Sequence, residues 1–220
     1  DEQMPSLADL MDGDEESLSD VDYVAARVAE ATTPGFHSGF MCLVGRPNAG
    51  KSTLTNALVG SKIAISSSKP QTTRHVIRGV VSTAQAQLVL IDTPGLHKPR
   101  TLLGQRLNDV VRETLLDVDV IGFCMPADQK PGPGDKYIAA ELEELRRGRR
   151  TPIIAIATKA DAVDRERLAE HLIAIDQLGD WAAIVPCSAV RGDQVDDVLA
   201  VLGGYLPPSP APLYPVDQVS

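Results

Sequence analysis

Residues 45–52 read GRPNAGKS, placed between the apolar run FMCLV and the segment KSTLTNALVG, whose apolar residues recur at helical spacing. The pattern G-x-x-x-x-G-K-S/T, leaving a strand and opening a helix, is that of a phosphate-binding loop. Its physics is a ring of backbone N–H groups facing anionic oxygens at the positive end of a helix, kept accessible by Gly45 and Gly50. Lys51 would reach the terminal phosphates, and the Ser52 hydroxyl would ligate Mg²⁺. The whole stretch Gly45, Arg46, Pro47, Asn48, Ala49, Gly50, Lys51, Ser52 and Thr53 is therefore assigned to the nucleotide.

A loop of this kind must sit at the C-terminal end of a strand in an open sheet, and the rest of the chain has the alternation such a sheet requires. Strands are predicted at 40–45, twice within 75–92 with a turn near 83–85, and at 118–125, 151–159 and 182–188. Helices are predicted at 51–60, 102–116, 135–147, 164–178 and 193–205. Strands alternating with helices imply an α/β fold with a mostly parallel six-stranded sheet, helices on both faces and one antiparallel edge strand from the 75–92 hairpin. A hydrophobic content of 43% is enough for the core this needs.

Three segments follow from composition. Residues 1–22 hold nine acids and no Lys or Arg, and removing nine of the 30 acids leaves 21 against 21 bases. The net charge of −9 thus belongs to the N-terminal extension and says nothing about what the remainder binds. Residues 1–37 are read as an acidic, largely disordered extension with one short helix starting near Ser19 or Asp20. Residues 38–206 form the domain, and 207–220, with PPSPAP, a stiff connector. Cys42, Cys124 and Cys187 lie in or beside apolar runs without metal spacing, and are read as buried free thiols. No apolar run approaches the roughly 18–20 residues that span a bilayer. The N-terminus is acidic where a secretory signal is basic, so a cytoplasmic protein is expected.

Three further motifs narrow the ligand. Asp92 ends the apolar run LVLID, where a carboxylate can hold a water of the Mg²⁺ shell across from Ser52. Gly95, in DTPG, offers a backbone N–H to a γ-phosphate. In TKAD (158–161) the Asp161 carboxylate can accept from both N1–H and the N2 amine of guanine, whereas adenine lacks the N1–H. Sites built on such pairs reject the wrong ligand by roughly 10⁴ or more. The Lys159 stem can cover one face of the base. In SAV (Ser188, Ala189, Val190) the Ala189 N–H can bond guanine O6. The polar loop 61–75 occupies the place of a switch segment, with Thr73 chosen as the γ-phosphate-dependent Mg²⁺ ligand and Thr72 the alternative. Order-to-disorder changes in this loop and in 95–104 would be the switching event.

GRPNAGKS, QTTRH, DTPGLHKP, TKAD and SAV together resemble the Era family of bacterial GTPases, across roughly residues 38–220. The resemblance implies a P-loop NTPase G domain followed by an RNA-binding KH domain that lies outside this sequence. It implies GTP/GDP and Mg²⁺ as cofactors, and action in small-subunit ribosome assembly through the 3′ end of 16S rRNA. No DNA partner, a monomer, and a cytoplasmic protein with a peripheral membrane-associated fraction complete the expectation. The sequence departs from the family pattern at Thr158, where Asn usually bridges the phosphate and base loops; weaker nucleotide binding is expected.

Catalysis needs an attacking water to be placed. Many hydrolytic switches carry Gln after DTPG's glycine, but Leu96 cannot form a hydrogen bond. The resemblance supplies a substitute, in which an Asn at the position of Asn48 binds K⁺ beside the phosphates. Such a charge replaces an arginine finger worth 10³–10⁵ in rate, or about 4–7 kcal/mol. Lys51, Thr73, Gly95 and Asn48 are the catalytic candidates, with slow intrinsic hydrolysis stimulated by K⁺ or a ribosomal partner. Two other readings are a GTP-binding module without turnover, for which Leu96 speaks, and a P-loop ATPase or kinase, against which TKAD and SAV speak.

Overall fold

A computed structural model describes residues 35–60, 76–92, 111–148 and 150–214. In chain order the elements are β1 (His37–Val44), α1 (Lys51–Gly60), β2 (Ile77–Ser82), β3 (Ala86–Ile91), a helical segment α2 (111–117), β4 (Val120–Pro126), α3 (Pro133–Gly148), β5 (Ile153–Thr158), α4 (Arg165–Asp176), β6 (Ala183–Pro186) and α5 (Val195–Gly204). The six strands form one sheet in the order β2-β3-β1-β4-β5-β6. Only the β2–β3 pair is antiparallel, with β2 at the edge. The expected mixed sheet is what the chain forms. The predicted N-terminal helix, loop 61–75 and residues 95–104 lie outside the described residues.

Parallel strands covered on both faces read as continuous apolar runs rather than alternating ones. β3, β4 and β5 are buried at every position. Because successive side chains point to opposite faces, β1 divides its residues between two cores. Met41 and Leu43 join Leu54 and Leu58 of α1 and Val198, Leu199 and Leu202 of α5. Cys42 and Val44 join Val111 and Leu115 of α2, Ile138 and Leu142 of α3, and Ile175 of α4. The C-terminal ends of β1, β3, β4 and β5 consequently face the same way, and their loops converge.

The proline-rich stretch does not project as a free spacer over its described part. Ser38 N–H donates to Pro207 O at 3.2 Å, and Ser209 N–H donates to Phe36 O at 2.9 Å. Farther on, the wholly buried Gln87 of β3 grips the backbone of Tyr214. Its Oε1 accepts from Tyr214 N–H at 2.8 Å, and its Nε2 donates to Tyr214 O at 2.8 Å and to Ser82 Oγ at 3.0 Å. Four prolines within PPSPAP remove backbone donors, so the Gln87 side-chain amide supplies the pairing that a strand cannot.

Replacing Gln87 with Leu keeps the volume and deletes all three bonds. An unmade buried hydrogen bond costs about 1–3 kcal/mol. Gln87→Leu is expected to lower the denaturant-unfolding free energy by about that amount and to speed hydrogen exchange at Tyr214. Unchanged exchange there would show that the clamp does not hold the connector.

Candidate nucleotide site

The loop after β1 makes two close approaches that fix its glycines. Gly45 has φ +148°, and a Cβ there would stand 2.6 Å from Cys124 O of β4. Gly50 has φ +84°, and its Cβ would stand 3.3 Å from Thr158 Cβ and Oγ1 of β5. Between them Asn48, exposed at the crest, adopts φ 64°, and Ala49 N–H closes a turn on Arg46 O at 3.2 Å. Left-handed backbone at a non-glycine residue costs on the order of 1–3 kcal/mol and clusters at ligand sites. Lys159, φ 56°, is a second instance directly across the site.

Lys51 curls back onto the loop, donating to Gly45 O and Arg46 O at 2.8 Å each. Burial pushes its pKa below the usual lysine value. Ser52 and Thr53 are exposed in the first turn of α1. A cavity of about 290 Å³ gathers Lys51, Ser52, Asp92 and Arg78. Asp92 is paired with Arg78, Nη2 to Oδ2 at 2.9 Å, so a metal bound there would compete with this cation. A larger cavity of about 780 Å³ lies between the β4–α3 segment and α4, lined by residues such as Lys130 and His171. Size does not locate the chemistry: the phosphate-loop lysine, Ser52 and Asp92 converge only in the smaller one.

The base loop is bonded to the phosphate loop. Thr158, buried at the end of β5, donates its hydroxyl to Ala49 O at 2.6 Å. The link that Asn usually makes in the resembled family is thus present with a shorter side chain, because Gly50 lets the loop approach. Beyond it, Ala160 N–H donates to Cys187 O at 3.1 Å, tying TKAD to the loop that carries SAV. Asp161 is held below the usual carboxylate range, first by its hydrogen bond with Ser188, against the opposing effect of burial, and then by a backbone hydrogen bond and the charge of Arg191. Ser188 is buried, Ala189 half-buried and Val190 exposed. The Lys159 ammonium pairs with Asp128 at 3.0 Å. Pro47 is exposed. Thr73, Gly95 and Leu96 lie outside the described residues.

Sequence reasoning missed Arg78, Asp128, Gln129 and Asp135. Asp135 had a legible signal: in G-P-G-D a carboxylate three residues into a helix can reach back to the capping N–H. The others had none, because their partners are distant in sequence. All three cysteines are buried, and burial raises the thiols of Cys124 and Cys187 to about 12. They are not nucleophiles near neutral pH.

A family model described as "50S ribosome-binding GTPase" matches residues 40–159. The chain belongs to this GTPase family, and within it to the Era group. It is 63% identical over 183 residues to the GTPase Era of Streptomyces coelicolor, a match covering 81% of this chain and 56% of that protein. It is 59% identical over 186 residues to the GTPase Era of Mycolicibacterium paratuberculosis, covering 84% and 61%. The chain therefore spans only part of the length of these curated relatives. Among solved structures it resembles a variant of Aquifex aeolicus Era bound to GDP·AlF4⁻, at 32% identity and TM-score 0.65, covering 83% of this chain and 61% of that one. It also resembles Era in complex with MgGDPNP and nucleotides 1506–1542 of 16S ribosomal RNA, at 31% identity and TM-score 0.68, with the same coverage.

Removing the Thr158 hydroxyl while keeping its shape isolates the bridge. Thr158→Val leaves Ala49 O buried and unpaired, and is expected to cost about 1–3 kcal/mol in denaturant unfolding. Thr158→Ser, which keeps the donor, should recover most of that loss.

Proposed function

We propose that the chain is the nucleotide-binding part of a GTP-binding and GTP-hydrolysing switch acting in small-subunit maturation through 16S rRNA. The observation that carries the guanine reading is Asp161, an ionised carboxylate held by Ser188 on a loop whose Thr158 is bonded to the phosphate loop. Guanine N1–H and N2 amine match one carboxylate, and adenine leaves an acceptor unpaired. In this reading the backbone N–H groups of 45–52 cradle phosphates. Lys51 leaves its two carbonyl partners for the β- and γ-phosphates, and Ala189 N–H meets guanine O6.

The donor set fits a hard divalent cation, since Ser52 hydroxyl and Asp92 carboxylate are oxygen ligands sharing one cavity. Ser52, Asp92 and, beyond the described residues, Thr73 would hold Mg²⁺, which when bound neutralises charge on the phosphate oxygens. Gly95 completes the γ-phosphate contacts in the same proposal. Asn48 would hold K⁺, and with Leu96 unable to orient water, intrinsic hydrolysis is slow. Hydrolysis is supported by the family and by the relative solved with GDP·AlF4⁻. The RNA partner is supported by the relative solved with 16S nucleotides. The family description names the 50S particle, but the relatives and neighbours above are Era proteins, so the small subunit is the partner taken here. A monomeric, cytoplasmic protein accords with this reading.

Titration with GTP, GDP and ATP tests the ligand: guanine nucleotides should bind on the order of 10⁴-fold more tightly than ATP, and Asp161→Asn should erase most of that preference. Comparable ATP binding would overturn the reading. Because the folded-state pKa of Asp161 is depressed, its charged contact is fully present above the ordinary carboxylate pKa. It is lost only as pH falls through the lowered value. The preference for GDP over ADP, whose phosphates titrate alike, should accordingly be flat from neutral pH down to the ordinary carboxylate range.

Turnover is tested by single-turnover phosphate release in K⁺ and in Na⁺, with and without small ribosomal subunits. A faster rate in K⁺ is expected. Equal rates in the two salts would remove the role given to Asn48.

A further inference from the structure

Asp135 is the one acidic residue fully buried among the described residues, at 0% exposure. It stands in the first turn of α3, after Pro133 at the first helical position, and each carboxylate oxygen has a donor. Gly132 N–H donates to Oδ2 at 2.8 Å, closing the helix start. Arg46 Nε, reaching over from the phosphate loop, donates to Oδ1 at 2.8 Å. Gly134 makes this approach possible: a Cβ there would lie 2.7 Å from Arg46 Cδ. Arg46 also extends Nη2 to Gln129 Oε1 at 3.3 Å.

The other end of Arg46 is equally engaged. Its carbonyl accepts from Ala49 N–H at 3.2 Å and from Lys51 Nζ at 2.8 Å. One residue of the phosphate loop is thus pinned through both its backbone and its side chain. A guanidinium is always charged and carries five donors. Released from Asp135, it could fold onto the carbonyls that Lys51 uses, or into the phosphate cradle itself. A buried ion pair is weak evidence for stability, since desolvation offsets much of the attraction. What this pair does supply is a single direction for Arg46.

We propose that Asp135 is a positioning residue for nucleotide binding: acting through Arg46, it fixes the phosphate-loop backbone and keeps the guanidinium out of the phosphate cradle. The proposal rests on the GTP-binding reading and goes beyond it, because Asp135 itself touches no nucleotide in that reading.

Dissociation of a fluorescent GDP from the full 220-residue chain, by stopped flow, tests it alongside melting temperatures. Asp135→Asn keeps the shape and an acceptor for Gly132 but removes the charge. Arg46→Met keeps the stem and removes the guanidinium, leaving the Gly132–Asp135 contact intact. Asp135→Asn is expected to speed GDP release about tenfold, which corresponds to about 1.4 kcal/mol. Arg46→Met should also speed release, and the double variant should be no faster than the faster single one. A purely structural Asp135 gives a lowered melting temperature with unchanged release, and that overturns the proposal; so do single effects that multiply in the double variant. A wild-type chain that binds no guanine nucleotide would overturn the GTP reading and this proposal with it, whereas normal wild-type binding with unaffected variants overturns this proposal alone.

Discussion

The hydrogen bond from Thr158 to Ala49 joins two loops that the chain separates by 109 residues. Each loop is attached to a buried strand, β1 or β5, with β4 between them. The distance between a phosphate cradle and a base-facing carboxylate is therefore set by strand spacing of roughly 4.8 Å per neighbour and closed by this one contact. At 2.6 Å in a buried setting it is a short O–H···O bond with no water to compete for either partner. Gly50 is its necessary counterpart, since a side chain there would press on Thr158. Everything assigned to the nucleotide on either side inherits its relative position from this pair.

Charge around the site follows a common pattern: among the described residues, four cations near the cradle are held by protein oxygens. Lys51 rests on two carbonyls, Arg46 on Asp135, Arg78 on Asp92 and Lys159 on Asp128. These contacts differ in kind. Arg46–Asp135 has a carboxylate sealed from water, with Oδ1 satisfied by Arg46 and Oδ2 by Gly132 N–H. Arg78–Asp92 is largely exposed and screened, a pair worth little by itself. The exposed pairs can be exchanged for a ligand at small cost, and the sealed one cannot. Fixed support and exchangeable contacts are thereby separated within one cluster of loops.

The sheet and its helices were legible because parallel strands buried on both faces leave unbroken apolar runs, as in IIAIAT and VIGFCMP. The phosphate loop was legible because its function constrains consecutive residues. Asp161 and Ser188 were each readable from a tetrapeptide or tripeptide, although their mutual hydrogen bond was not. Thr158 shows the limit of a pattern: the residue type departs from the resembled family, but a hydroxyl at this distance makes the same bridge. Gln87 and Asp135 show a second limit. Both are polar residues inside buried segments, and their partners, Tyr214 and Arg46, lie 127 and 89 residues away. No local rule announces a contact of that separation.

β3 carries the most demanding combination of these constraints. Its first turn of residues holds Gln87, clamped on Tyr214, and Asp92 follows its last residue, facing the cavity with Ser52. Five residue steps of extended chain separate them by about 17 Å at roughly 3.3 Å per residue. A slip of one residue against β1 would turn Gln87 out of the clamp, aim Asp92 away from Ser52 and exchange the two cores. The pairing of Leu88 with Gly39 and of Ile91 with Cys42 excludes that slip, because either face of the sheet would then present the wrong volumes to its helices. One register thus places a connector contact at one end of the strand and a candidate metal ligand at the other, and neither position can be gained or lost separately from the packing between them.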